Sequence, residues 1–186
     1  MNLDALTCID HGWLCHFGIH EAGHAVAAIV LGFEFVELSI MPGHEVYRSM
    51  VLGESVVGAG ILMPTDRPAE WVGPRPDDAL TMLLAGSLAE RDILSHFLNG
   101  GYAGDMDMWR RGTGRFEAQT AELKPILDAG IASATELIRE NRAAILRVYQ
   151  LVVDRVPSDG HGGHLGFDES LTLTYDEVRA AVLDEA

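Results

Sequence analysis

Two histidines and a glutamate stand inside an apolar stretch of the chain, GIHEAGHAVAAIV (18–30). Histidine and glutamate are costly to bury unless other groups compensate for their lost hydration. His20 and His24 are four residues apart, so on a helix they lie on one face, about one turn from each other. Two imidazoles placed in this way can direct ring nitrogens at a single Zn²⁺ ion about 2.0–2.1 Å away. The spacing therefore predicts a metal site on a helix.

Glu21 directly follows the first histidine, where its carboxylate can reach a water on the metal without joining the ligands. This is the HExxH pattern, whose glutamate is the general base of zinc hydrolases. The alternative is structural: two core histidines bonded to protein groups, and a glutamate in an ion pair. The position of the pattern inside an apolar helix, with the small residues Ala22 and Gly23 between the histidines, favours the metal site.

A zinc hydrolase normally takes three ligands from the protein and keeps the fourth position for water. Metzincins continue the pattern as HxxGxxH, but Ala27 and Val30 occupy the glycine and histidine positions here. That class is excluded, and the third ligand must come from farther along the chain.

The apolar pattern predicts a helix for the HExxH segment and a small β element after it. Apolar residues recur at helical spacing over residues 14–31, and Gly32 is a typical helix end. Residues 33–41 alternate as a strand and end at a Pro-Gly turn, and residues 55–63 form a second β-like run. The β element, a hairpin or small sheet, is therefore expected between the first two main helices.

The rest of the chain is predicted to be helical. Four prolines mark residues 64–76 as a loop, and a second helix runs from there to about residue 97. The glycine-rich residues 99–104 interrupt the pattern, and we expect another helix to start near Asp105. A long helical region follows over residues 118–155. A short last helix follows Thr174-Tyr-Asp-Glu177, which has the spacing of a capping box.

Length and composition indicate one domain. The chain has 186 residues, of which 48% are hydrophobic and 22% charged. A chain of this length can bury a hydrophobic core without disulfide bonds or structural metals to stabilise it. We expect a mainly α domain over residues 1–186. Residues 1–13 are an N-terminal extension, residues 14–113 carry the site, and residues 114–186 form a C-terminal helical part.

Charge excludes several partners. The net charge of −15 argues against nucleic acid and against an anionic membrane surface, since both are bound through clusters of Lys and Arg. Lys124 is the only lysine and lies in no GxxxxGK[ST] pattern, which excludes a Walker-type nucleotide site.

The apolar segments of the sequence indicate the localisation. No basic start followed by an apolar core opens the chain, so no signal peptide is predicted. The longest uninterrupted apolar run, residues 25–33, is too short to cross a bilayer. We expect a soluble cytoplasmic protein with no membrane insertion.

The two cysteines of the chain are too few for a disulfide scaffold. Cys8, His11, Cys15 and His16 fit no common zinc-finger spacing, so no second metal site is expected.

Several segments resemble, in order, the peptidase domain of FtsH-type zinc metallopeptidases, the proteolytic half of membrane-anchored ATP-dependent proteases. HEAGHAVAA (20–28) is similar to the active-site helix of that family, and HEAGH is specific by itself. The other segments agree by order and spacing: LSIMPG (38–43), GILMP (60–64), LAGSLAE (84–90), GYAGD (101–105) and residues 136–154 and 171–178. The likeness spans roughly residues 16–183.

The resemblance implies a helical zinc-peptidase fold and a third ligand. GYAGD matches a Gly-Ala-x-Asn-Asp segment whose last aspartate binds zinc in the family, so Asp105 takes that role, although Gly104 replaces the asparagine. Two alternatives stay open. Asp107 offers a carboxylate two residues on, and other HExxH enzymes take their third ligand from a glutamate on a later helix, here Glu90.

By this resemblance we expect a zinc-dependent endopeptidase in which His20, His24 and Asp105 hold Zn²⁺ and Glu21 is the general base. The chain corresponds to the peptidase part without the ATPase and membrane segments. We therefore expect ATP-independent cleavage of polypeptides that are unfolded or delivered by a partner ATPase. Substrate is expected to lie extended along the edge formed by residues 55–63.

The family works as hexameric rings, so the resemblance leaves a homo-oligomer open beside a partner ATPase. Two other functions stay open: a dedicated regulatory HExxH peptidase, and a catalytically inactive module that keeps the fold for binding or scaffolding.

Overall fold

The structure, a computed structural model, describes residues 8–40, 59–95, 99–156 and 170–183. Within these ranges the chain forms six helices and three short strands, which confirms the predicted mainly α class. In chain order they are α1 (Cys8–Leu31), β1 (Glu37–Ile40), β2 (Ala59–Leu62), α2 (Pro68–Trp71), α3 (Pro76–Leu94), α4 (Asn99–Thr113), α5 (Thr120–Asp154), β3 (Leu171–Thr174) and α6 (Tyr175–Leu183).

Helix α1 is the centre of the fold and packs against α3 and α5. Its close approach to α3 depends on glycine. A Cβ added at Gly23 would lie 2.8 Å from the carbonyl oxygen of Ala85 on α3. On the α5 side, a Cβ at Gly18 would lie 2.8 Å from the ring of Tyr149. Because these contacts are shorter than van der Waals distance, only glycine allows α1 to lie so near both neighbours.

The end of α1 is as predicted, whereas its start is not. Gly32 adopts a positive φ of 72°, and the Phe33 amide donates to the Ala28 carbonyl at 2.8 Å, which closes the last turn. Arg75 donates to the carbonyl of Leu31 and stacks on the Phe33 ring, 4.4 Å from its centroid. The helix begins at Cys8, so part of the expected N-terminal extension is helical.

The sheet has three antiparallel strands in the order β2-β1-β3. Leu38 of β1 is opposite Ile61 of β2 on one side and Leu173 of β3 on the other. The prediction of a β element between the first two main helices was therefore incomplete, since β3 comes from the part expected to be helical. The pairing of β3 with β1 is long-range, so the local sequence pattern does not indicate it. Residues 41–58, with the predicted turn and part of the second β-like run, lie outside the described residues.

Two further boundaries differ from the prediction. The proline-rich loop contains the single helical turn α2, and α4 starts at Asn99 rather than near Asp105. The glycine-rich residues 99–104 are thus helical, and Asp105 lies in the second turn of α4 instead of at its start. Glycine lowers helix propensity by only about 1 kcal/mol per residue, so a glycine-rich segment can still be helical as part of a longer helix.

The predicted last helix is confirmed together with its cap. The amide of Thr174 donates to the Glu177 carboxylate at 2.8 Å, and the Glu177 amide donates to the Thr174 hydroxyl at 3.4 Å. These reciprocal bonds form a capping box that starts α6 and ends β3.

In the described part of the chain one helical stretch, Leu14–Leu31 of α1, is long and apolar enough to cross a membrane by length and composition. The fold buries 78% of this stretch. Core helices of globular proteins pass the same test, so the stretch is weak support for a membrane span.

Candidate metal centre

His20 and His24 form a buried pair on α1, each with 5% of its surface exposed. Their rings meet edge to face with centroids 4.6 Å apart. The two Nε2 atoms are 2.9 Å apart. The predicted arrangement on one face of a helix is therefore present, with two ring nitrogens directed toward one point.

The other nitrogen of each ring is held by α3. Nδ1 of His20 lies 2.6 Å from Oε1 of Glu90, and Nδ1 of His24 lies 2.8 Å from the carbonyl oxygen of Met82. A carbonyl and an ionised carboxylate only accept hydrogen bonds, so both Nδ1 atoms carry the proton. In the neutral imidazoles the lone pairs are then on the Nε2 atoms, the state that a metal ion requires.

Asp105 of α4 approaches this pair from a third helix. Its Oδ2 atom lies 3.5 Å from Nε2 of His20 and 3.4 Å from Nε2 of His24. This oxygen is buried and has no hydrogen-bond partner among the described residues. Ligand atoms of the three residues all lie within 4.8 Å of one another. A buried carboxylate oxygen without a hydrogen bond, beside two oriented imidazoles, fits a divalent cation between them.

Glu21 lies next to the histidine pair with 5% of its surface exposed. Burial raises the pKa of its carboxyl, and nearby His24 and His20 oppose that increase. No described residue forms a hydrogen bond with this carboxylate. An acid with a raised pKa beside a metal centre suits a group that accepts and returns a proton.

Charge compensates charge within the cluster. Burial alone would lower the pKa of His20, but its interactions with Asp105 and Glu90 raise that pKa to about 10. Burial alone would raise the pKa of Asp105, but His24 and His20 lower it to about 2. The pKa of His24 is also raised, by Asp105 against the effect of its burial. Without a bound metal ion, protons on the histidines therefore supply positive charge that balances the negative charge of the carboxylates.

Gly86 of α3 makes room for the two rings. A Cβ at this position would lie 2.4 Å from Nε2 of His24 and 2.8 Å from Cδ2 of His20. The backbone of α3 therefore passes directly against the histidine pair. The sequence predicted α3 but gave no sign that this glycine borders the site.

The two alternative ligands lie elsewhere. Asp107 forms an exposed ion pair with Arg111 at 2.6 Å on the outer side of α4. Glu90 is buried with 2% exposure and contacts the Nδ1 side of His20, away from Nε2. The structure thus brings together the three residues predicted to bind zinc. It places Glu90 against Nδ1 of His20, on the side of the ring away from the other two.

The sequence prediction missed His16. It is 9% exposed, and its Nδ1 lies 3.0 Å from Oε2 of Glu90. Cys15 was grouped with His16 in the sequence analysis, among the cysteines and histidines that fit no zinc-finger spacing. Its Sγ lies 3.2 Å from the Tyr149 hydroxyl. The side chains of Cys8 and His11 lie outside the described residues. The signal that could have found His16 is its spacing, one helical turn before His20 on the same face of α1.

No protein-family model matches the chain, and no curated protein is significantly similar to it. The interpretation of this centre therefore depends on its own residues and geometry.

Proposed function

We propose that this chain is a zinc-dependent endopeptidase domain of the FtsH type, acting on polypeptides that are unfolded or delivered by a partner. One observation carries the proposal. The buried Oδ2 of Asp105 lies within 3.5 Å of the Nε2 atoms of both His20 and His24, whose Nδ1 atoms are already engaged.

The set of ligand atoms supports zinc over magnesium and calcium. Imidazole nitrogen suits zinc, whereas magnesium and calcium prefer all-oxygen sites. Structural zinc sites normally use four protein ligands, and catalytic sites use three and keep an open position. The described residues supply three, namely His20, His24 and Asp105, which favours a catalytic centre.

The residues around the centre divide the chemistry between them. Zinc, when bound, supplies a lowered pKa for water and polarisation of the scissile carbonyl. His20, His24 and Asp105 would hold the ion. Glu21 would accept the proton of the attacking water and return it to the leaving amine, the role of a general base that becomes a general acid.

The sheet offers a place for substrate. Among the described strands β2 lies at an edge, paired with β1 on one side. We propose that an extended peptide adds to this edge, because main-chain hydrogen bonds bind peptides with little regard to sequence. The net charge of −15 supports a polypeptide substrate over nucleic acid. A cytoplasmic location, and assembly with further copies or a partner ATPase, belong to the same proposal.

The test combines metal analysis with a digestion assay. Protein purified without chelators is expected to contain one zinc per chain and to degrade unfolded casein. Glu21→Gln is expected to keep the zinc and lose cleavage, whereas Glu34→Gln, a change at an exposed glutamate, should cleave at the wild-type rate.

Other outcomes contradict parts of the proposal. Wild-type cleavage by Glu21→Gln would show that Glu21 is not the general base. A folded protein without metal or activity would indicate a binding module. A proteome-wide cleavage profile with a single substrate would indicate a dedicated regulatory peptidase.

A further inference from the structure

Three residues form a continuous hydrogen-bonded line behind the metal centre. The Glu90 carboxylate bridges two imidazoles of α1, with Oε2 3.0 Å from Nδ1 of His16 and Oε1 2.6 Å from Nδ1 of His20. We propose that His16 is a positioning residue that acts through Glu90, holding its carboxylate so that His20 keeps Nε2 directed at the metal. This inference rests on the proposed function, because it requires a metal at the centre.

The argument starts from the freedom of a glutamate side chain. The last torsion of glutamate is broad, so one hydrogen bond leaves the plane of the carboxylate poorly defined. Glu90 has bonds from both oxygens to two rings whose Cα atoms are fixed one turn apart on the same helix. Two donors on a rigid element define both the position and the plane of the carboxylate.

The orientation of His20 follows from that of the carboxylate. Hydrogen bonds to the second nitrogen of a metal-binding imidazole fix its tautomer and ring plane, and their loss typically costs 10- to 100-fold in metal affinity. Glu90 makes this contact at 2.6 Å. The bond between His16 and Glu90 is the contact through which His16 reaches this arrangement.

The burial of Glu90 and its two histidine partners allows a positioning role of His16 to be distinguished from a structural one. Glu90 is 2% exposed, and His16 and His20 are 9% and 5% exposed. A buried carboxylate requires hydrogen bonds to remain ionised. A purely structural role for His16 would end there, with an effect on folding but none on the metal. The positioning role predicts an effect on metal affinity that depends on Glu90, and this difference can be measured.

The test is a double-mutant cycle read out as the zinc dissociation constant, by competition with a chromophoric chelator. His16→Ala is expected to weaken zinc binding about tenfold, the low end of the range for such contacts. His16→Gln, which keeps an N–H donor, should stay within about threefold of wild type. In a Glu90→Met background, which removes the carboxylate at similar length, His16→Ala should have no further effect. Cys15→Ala, a buried change on the same helix, is the matched control and should leave zinc affinity unchanged.

Each alternative result overturns the proposal. An unchanged zinc affinity in His16→Ala, an equal loss in the Glu90→Met background, or an equal loss in Cys15→Ala would show that His16 only contributes to packing. Complete loss of zinc in Glu90→Met would show that Glu90 is a ligand. If the variants do not fold, the tautomer of His16 in the zinc-bound wild-type protein tests the proposal instead. Its ¹⁵N–¹H histidine spectra should show the proton of His16 on Nδ1, and a proton on Nε2 alone would overturn the proposal.

Failure of this inference can be told from failure of the proposed function. Wild-type protein that binds no zinc contradicts both. Wild-type protein that binds zinc and cleaves casein, with no effect of His16→Ala, contradicts the role of His16 alone.

Discussion

Oδ2 of Asp105 on α4 lies 3.4 Å from Nε2 of His24 on α1, although the two residues are 81 positions apart in the sequence. The carboxylate oxygen is buried and has no hydrogen bond from the described residues. Isolated in this way, a carboxylate would be costly to bury, so its position is explained by the positive charge that it faces. The pKa of His20 is raised to about 10, so at neutral pH a proton on this histidine supplies the charge when no metal is bound, and we propose that zinc replaces it.

The first prediction separates the two neighbouring aspartates of α4. Asp105→Asn is expected to lose stoichiometric zinc after dialysis, because an amide is a weaker ligand and no longer offsets the histidine charge. Asp107→Asn should retain one zinc per chain, since Asp107 is engaged with Arg111 at the surface. Elemental analysis of both purified variants makes the comparison, and retention of zinc by Asp105→Asn with loss in Asp107→Asn would reverse the assignment.

The second prediction concerns the pH dependence of zinc binding. The pKa of His20 is about 10 in the metal-free protein, so zinc must displace a proton at neutral pH. Apparent zinc affinity should therefore rise about tenfold per pH unit for each proton displaced, between roughly pH 7 and 9. Calorimetry in buffers of different ionisation enthalpy measures the released protons. Equal affinity and no proton release across this range would contradict the prediction.

The third prediction is that the metal-free fold loses stability as pH rises. His20 has a raised pKa in the folded state, so the folded state holds more protons than the unfolded state between the ordinary value of 6.5 and about 10. This contribution is fully present below 6.5 and is lost as pH rises through 10. The thermal midpoint of chelator-treated protein should fall over this interval, whereas zinc-loaded protein should be much less sensitive. A midpoint that rises toward pH 10 without metal would show that the sign is wrong.

The fourth prediction uses two glycines. Gly86→Ala places a Cβ 2.4 Å from Nε2 of His24, so α3 or the ring must move. We expect a loss of about 1–3 kcal/mol in the free energy of unfolding and at least tenfold weaker zinc binding. Gly104→Ala is the control, because nothing lies within 4 Å of its added Cβ, and alanine favours a helix by about 1 kcal/mol. Urea unfolding and zinc titration test both variants, and equal behaviour of the two would contradict the crowding at Gly86.

Local features of this fold could be predicted from the sequence. The HExxH spacing placed His20 and His24 on one helical face, and Gly32 was correctly expected to end the helix. The capping box at Thr174 and Glu177 was also correct. Each of these depends on residues within one or two turns of each other, so their spacing alone contains the information.

Features that depend on packing between distant segments could not be predicted in this way. The residues left Asp105, Asp107 and Glu90 as alternatives, because the choice depends on how α3 and α4 are rotated toward α1. The glycine run before Asp105 suggested a break, yet it is helical and places Asp105 in the second turn of α4. Pairing of β3 with β1, and the contact of His16 with Glu90, are likewise set by the tertiary structure.

The most direct test of the central claim is a crystal structure of the protein grown with zinc, with the ion located by anomalous scattering at the zinc edge. We expect one ion bound by Nε2 of His20 and of His24 at about 2.0–2.1 Å and by the Asp105 carboxylate at about 2.0–2.2 Å, with Glu21 outside the ligands. An ion bound elsewhere, or no anomalous peak between these three residues at saturating zinc, would contradict the account.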